Sequence, residues 1–159
     1  MKAHISDSFD LVLRWEDDVR CEIVWSVCSD CEFEVTARLW FAPGLNYQGA
    51  TRLDFSTTCY AHALRAFADR LDEFAAGRAT SAEYWGSQDM SLTVREQRGQ
   101  ADFADRTVVV CDLKYEMIRS VDGVACDTQF EMILGKAEDP KGVAKAIREV
   151  IDGLKMKDA

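Results

Sequence analysis

The sequence predicts an α+β domain: an antiparallel β-sheet, or two curved sheets, with two α-helices packed against it. Three observations carry this. Most of the chain alternates apolar and polar residues with a period of two, most cleanly over residues 31–41. Two segments instead take a helical period: Tyr60, Leu64, Phe67, Leu71 and Phe74 share one face, and so do Val143, Ile147, Val150, Ile151 and Leu154. The strand-like segments before the first helix follow one another through short turns, which reads as a meander. With 159 residues, two prolines and no low-complexity tract, the chain reads as a single globular domain over 1–159.

Residues 10–16 read as the first strand, with Leu11, Leu13 and Trp15 on one face. Residues 19–27 put Val19, Cys21, Ile23, Trp25 and Val27 on one face. Residues 31–41 turn Cys31, Phe33, Val35, Ala37, Leu39 and Phe41 inward and Glu32, Glu34, Thr36, Arg38 and Trp40 outward. Both inward sets are odd-numbered, so core meets core only when opposed residues sum to an even number. A three-residue loop, Cys28-Ser29-Asp30 with Val27 opposite Cys31, satisfies this. Pro43-Gly44 breaks the chain, and a strand over 50–56 leads into the first helix.

That helix is expected over 59–76, capped by Thr57 or Thr58 and ended by Gly77 in the left-handed conformation. Arg65, Asp69, Asp72 and Glu73 point away from its apolar stripe, with Arg65 and Asp69 spaced to pair. Strands follow over 82–85, 89–97, 106–117 and 124–134. Asp122-Gly123 is a two-residue hairpin signal, setting Leu113 opposite Met132 and Tyr115 opposite Phe130. Asp139-Pro140 opens a second helix over 141–154, and the polar tail 155–159 is expected to fray.

The formal net charge is −9, weighted towards the N-terminal third. This disfavours nucleic acid or an anionic membrane and permits a basic protein partner. No apolar run is long enough to span a membrane and the N-terminus has no apolar signal core, so a cytoplasmic location is expected. Cys28-x-x-Cys31 has metal-knuckle spacing, but a structural zinc site needs two further ligands, and the other four cysteines stand singly. Six reduced thiols are therefore expected, most of them buried, with no metal and no cofactor. The two histidines, His4 in a loose terminus and His62 on the charged helix face, sit in no nucleophile motif, and no phosphate loop or zincin motif is present. A non-catalytic protein is expected.

Binding candidates remain. Trp40 sits in an outward register beside the acidic strand face of Glu32 and Glu34, and Trp85 is a further exposed aromatic; these four suit a protein partner. Trp15, Trp25 and Tyr115 could instead line a small-ligand pocket in a curved sheet. A third reading is a homodimer paired through an open edge strand at 10–16.

The spacing Leu64, Phe67, Leu71, Phe74 followed by Gly77, after a meander and before further strands and a terminal helix, resembles the small bacterial WapI-like immunity family and related domains over residues 50–151. The resemblance implies a protein that neutralises a partner toxin by binding it. It transfers no functional residue.

Overall fold

The computed structural model describes residues 2–16, 19–41, 43–44, 51–87, 90–97, 106–113, 118–120, 130–136 and 139–157. The elements in chain order are β1 (Lys2–Ile5), β2 (Leu11–Glu16), β3 (Val19–Val27), β4 (Glu32–Phe41), β5 (Arg52–Tyr60), α1 (Ala61–Ala75), β6 (Ser81–Ser87), β7 (Met90–Gln97), β8 (Arg106–Leu113), β9 (Ile118–Ser120), β10 (Phe130–Lys136) and α2 (Pro140–Lys157). The α+β expectation holds, and the described residues form two sheets. One is six-stranded, ordered β1-β2-β3-β4-β5-β9, and the other is four-stranded, ordered β10-β8-β7-β6. Every pair is antiparallel.

The alternating pattern builds the larger sheet. Cys21, Ile23 and Trp25 of β3 and Phe33, Val35, Ala37 and Leu39 of β4 are all fully buried on its inner side. The opposite residues form its outer side. Residues 10–16 are not an edge: β2 pairs with β1 on one side and β3 on the other. His4, expected in a loose terminus, is a ladder residue opposite Val12. Too few residues alternate in 2–5 to signal a strand, and the pairing supplies what local pattern lacks.

The β3–β4 loop is longer than expected. Val27 lies opposite Phe33, not Cys31. The even-sum rule is obeyed, but it admits registers two residues apart and cannot choose between them. The same slip occurs between β8 and β10, where Leu113 meets Phe130 rather than Met132. Between these strands the chain visits the other sheet, where β9 pairs with β5. A two-residue Asp122-Gly123 hairpin therefore does not join β8 to β10; the dipeptide itself lies outside the described residues.

The first helix starts later than its periodicity suggested. Thr57, Thr58 and Cys59 stay in the β5 ladder opposite Val35, Glu34 and Phe33. Neither threonine caps the helix; Tyr60 holds the N-cap position without a side-chain cap. The other end is as expected. Gly77 has φ +72°. Its N–H donates to Phe74 O at 3.0 Å and that of Arg78 to Glu73 O at 2.9 Å, which completes a Schellman motif. Asp139 caps α2 through Gly142 N–H at 3.0 Å. The second helix runs on to Lys157 rather than fraying after Leu154.

One apolar cluster joins both sheets and both helices. Leu64, Phe67, Ala68 and Leu71 of α1 and Val143, Ala144, Ile147 and Val150 of α2 are buried in it. At its centre Tyr84 of β6 meets Trp25 edge-on, with centroids 5.7 Å apart, and Phe67 at a tilt, also 5.7 Å away. Across the top of the helix pair, Arg148 of α2 takes Asp69 at 2.9 Å and Asp72 at 2.7 Å. Asp69 thus serves a tertiary contact rather than Arg65 on its own helix. Neither helix is long and apolar enough to cross a membrane.

Candidate binding face

The outer side of the six-stranded sheet faces away from the helices, and three of the four expected partner-binding residues, Glu32, Glu34 and Trp40, lie on it. They do not form one patch. All three are on β4, but Glu34 and Trp40 are six residues apart, about 20 Å along a strand.

At the Trp40 end the neighbours are cationic. The register sets Trp40 between Arg20 of β3 and Arg52 of β5. The Arg20 guanidinium lies 4.5 Å from the ring centroid and that of Arg52 5.6 Å. Each contact contributes about 0.5–1 kcal/mol at the surface. Trp40 is therefore covered by arginines from both neighbouring strands, not flanked by Glu32 and Glu34. Arg52 is itself held by Asp54, with bonds of 2.9 and 2.8 Å.

Midway along the face opposite charges alternate from strand to strand. Arg14, Glu22, Arg38 and Asp54 are cross-strand neighbours of alternating sign. Arg14 donates to Glu22 at 2.6 and 3.1 Å. Beside this row is a shallow depression of about 170 Å³ lined by Glu22, Val24, Ser26, Thr36 and Arg38. It is smaller than the several hundred Å³ typical of organic-ligand sites.

The far end differs. Glu34 is exposed, opposite Ser26 and Thr58, and Glu32 is half-buried opposite Tyr60. Among the described residues neither carboxylate has an ion-pair partner. Tyr60 stands beside them with 52 % of its surface exposed. Its ring stacks on His62 of α1, with centroids 5.6 Å apart and an interplanar angle of 11°. The ring is held at the strand-to-helix corner because β5 ends there and Ala61 N–H, the first of α1, donates to Cys31 O at 2.7 Å. Val27, a further exposed apolar residue, is on the last rung of the β3–β4 ladder.

Tyr60 is the residue that periodicity misplaced, as the first member of the helical stripe. A signal for it existed: Leu53, Phe55, Thr57 and Cys59 continue the strand alternation into the helical period, and Phe55 and Cys59 are buried. Tyr60, of the opposite parity, then has to face out.

The remaining candidates are dispersed. Trp85 is 60 % exposed on β6 of the smaller sheet, its indole N–H donating to Glu83 at 2.9 Å. Trp25 is fully buried and donates to the Tyr84 hydroxyl at 3.1 Å. It is a core residue packed against protein on its ring edge, not one side of an open cavity. The Trp15 backbone lies in β2 opposite Cys21, while its side chain, and the whole of Tyr115, lie outside the described residues. The structure thus does not bring Trp15, Trp25 and Tyr115 into a described pocket.

Burial pushes the Cys59 thiol up to about 11, and a hydrogen bond with Tyr84 offsets part of this. Burial, with the nearby Cys59 adding to it, also pushes the Tyr84 phenol upward. Both are neutral packing groups. Cys21 and Cys59 are buried, whereas Cys28 and Cys31 are exposed. Among the described residues no three His, Cys, Asp or Glu side chains gather where they could hold a metal.

With the geometry in view, comparison with known proteins adds no relative: no family model, curated protein or solved structure matches the chain.

Proposed function

We propose that the protein acts by binding a basic protein partner, in the manner of an immunity protein that occupies a toxin, and that it performs no chemistry on that partner. The surface is the end of the outer sheet face that carries Glu32, Glu34 and Tyr60. One observation carries the reading: two carboxylates without an ion-pair partner among the described residues stand beside a tyrosine that is 52 % exposed yet stacked in place. Elsewhere on that face Arg14 is paired with Glu22 and Arg52 with Asp54. A rigid aromatic next to unpaired like charges suits recognition of a cationic surface. The net charge of −9 adds long-range attraction to it.

The test compares tagged wild type with a Tyr60→Ala/Glu34→Lys double variant and with Arg20→Glu, each recovered from its native cell lysate and read by native mass spectrometry. The reading expects a stoichiometric basic protein on wild type and Arg20→Glu, and its loss from the double variant. Equal recovery on all three, or loss through Arg20→Glu alone, overturns the assignment of the surface.

A further inference from the structure

We propose that Cys28 and Cys31 are a redox modification site: an exposed dithiol that closes to an intramolecular disulfide by exchange with a low-molecular-weight disulfide such as oxidised glutathione. The proposal does not depend on the partner-binding reading.

Of the four cysteines whose side chains are described, Cys28 and Cys31 are exposed and Cys21 and Cys59 are buried, at 0 % and 3 % of their surface. Burial also holds the Cys59 thiol protonated, up to about 11, so it has little thiolate to offer. The chemistry is thereby directed to the loop pair.

The loop is also preorganised. The two cysteines lie at the ends of the four-residue connection between β3 and β4. Its ends are drawn together by Cys28 N–H and Ser29 N–H donating to Glu32 O, at 3.1 and 3.3 Å. From the other side, Cys31 O accepts the first N–H of α1 at 2.7 Å. Below the loop the ladder runs without a break from Val27↔Phe33 to Val19↔Phe41. Cys28 takes the register position opposite Glu32, the immediate neighbour of Cys31. A fold-back of this kind suits the short Cα separation, roughly 4.4–6.8 Å, that a disulfide requires. The backbone already bears most of the ordering cost, so closing so small a ring adds little loop entropy.

One protein thiolate attacks a sulfur of the small disulfide, whose S–S bond breaks and releases one thiolate. The second protein thiolate attacks the protein sulfur of this mixed disulfide and releases the other. The two protein protons pass to the two leaving thiolates. The protein loses two electrons, and the small disulfide becomes two thiols.

Glu22 and Glu32 bracket a segment, residues 23–32, that contains only these two of the six cysteines. Wild-type protein is incubated with oxidised glutathione, unreacted thiols are alkylated, and the chain is cleaved after glutamate. The expected result is that this peptide is two hydrogens lighter than its reduced form, carries no alkyl group, and recovers both thiols after dithiothreitol. Cys28→Ser protein should instead retain glutathione on Cys31. The proposal is overturned if the wild-type peptide carries two alkyl groups, if it keeps glutathione on either sulfur, or if it is recovered cross-linked to the peptide containing Cys59. The wild-type arm decides the matter even should the variant fail to fold.

Discussion

Tyr84 occupies the point where the two sheets and α1 meet. Its ring packs on Trp25 and Phe67, and its hydroxyl accepts the Trp25 indole N–H at 3.1 Å. Tyr84→Phe keeps the ring and removes one acceptor of that buried donor while the Cys59 sulfur remains beside it, so it should cost about 0.5–1.5 kcal/mol, read as a lower urea midpoint at unchanged slope. The same site predicts a pH dependence. Cys59 and Tyr84 are both raised in the fold relative to the unfolded chain, so the folded protein binds their protons more tightly. The Cys59 contribution is therefore fully present below the ordinary thiol value of 9.0 and is lost as pH rises towards about 11, and that of Tyr84 begins to be lost only above the ordinary phenol value of 10.0. Urea midpoints should fall across that window, and less steeply in a Cys59→Ala/Tyr84→Phe double variant. An equally steep fall in the double variant would assign the loss to other groups. At the surface, Tyr60 shows how a single side chain changes role with one boundary. As a helix residue it would be core; as the last residue of β5 it is the aromatic of the proposed interface.

The two helices show what local chemistry settles about an element. Gly77 has φ +72° and nothing within 4 Å of a Cβ placed there, so Gly77→Ala meets backbone strain and no clash. The expected loss is about 1 kcal/mol, seen as a fall in Tm. Asp139→Ala removes the side-chain bond to Gly142 N–H and should cost about 0.5–2 kcal/mol. Both ends were legible because a left-handed glycine and an aspartate before proline act within one turn. The start of α1 was not. Thr57 and Thr58 are good caps in isolation, but their backbones belong to the ladder with Val35 and Glu34, and cross-strand bonds outweigh a cap worth about 1 kcal/mol. Phe9 gives a comparable case at the other end of the chain. It takes a left-handed φ of 65° in the β1–β2 loop, and its ring lies where a side chain at position 153 of α2 would be. The turn itself holds the backbone, with Phe9 N–H donating to Ser6 O at 2.9 Å and Asp10 N–H to Ser6 Oγ at 3.0 Å, while the ring is seated against α2.

At the scale of the molecule, β1 covers the edge of β2. Removing residues 1–5 would leave β2 with an unpaired edge made of Leu11, Val12 and Leu13, all buried now. The truncated chain should therefore self-associate, with sedimentation that depends on concentration where that of the whole chain depends on it less. No such dependence would mean that another part of the molecule moves in to cover the edge.

Alternation and helical period were enough to establish the α+β class, the inward face of the middle of β3 and β4 and of β7, and the apolar stripes of both helices, although Val27 and Cys31 at the loop end are exposed rather than inward. These are local properties: each depends on a residue and its neighbours within one or two turns, where sterics and side-chain direction act. Tertiary structure decided the rest. It chose between registers of equal parity, placing Val27 opposite Phe33 and Leu113 opposite Phe130. It sent β9 to β5 in the other sheet and drew residues 2–5 into the ladder. It also separated Trp40, between its two arginines, from Glu32, Glu34 and Tyr60, which now make the candidate surface. A shift of two residues keeps every side chain on its original face, so hydrophobic pattern is indifferent to it. Loop closure and packing of the whole core are what distinguish the alternatives.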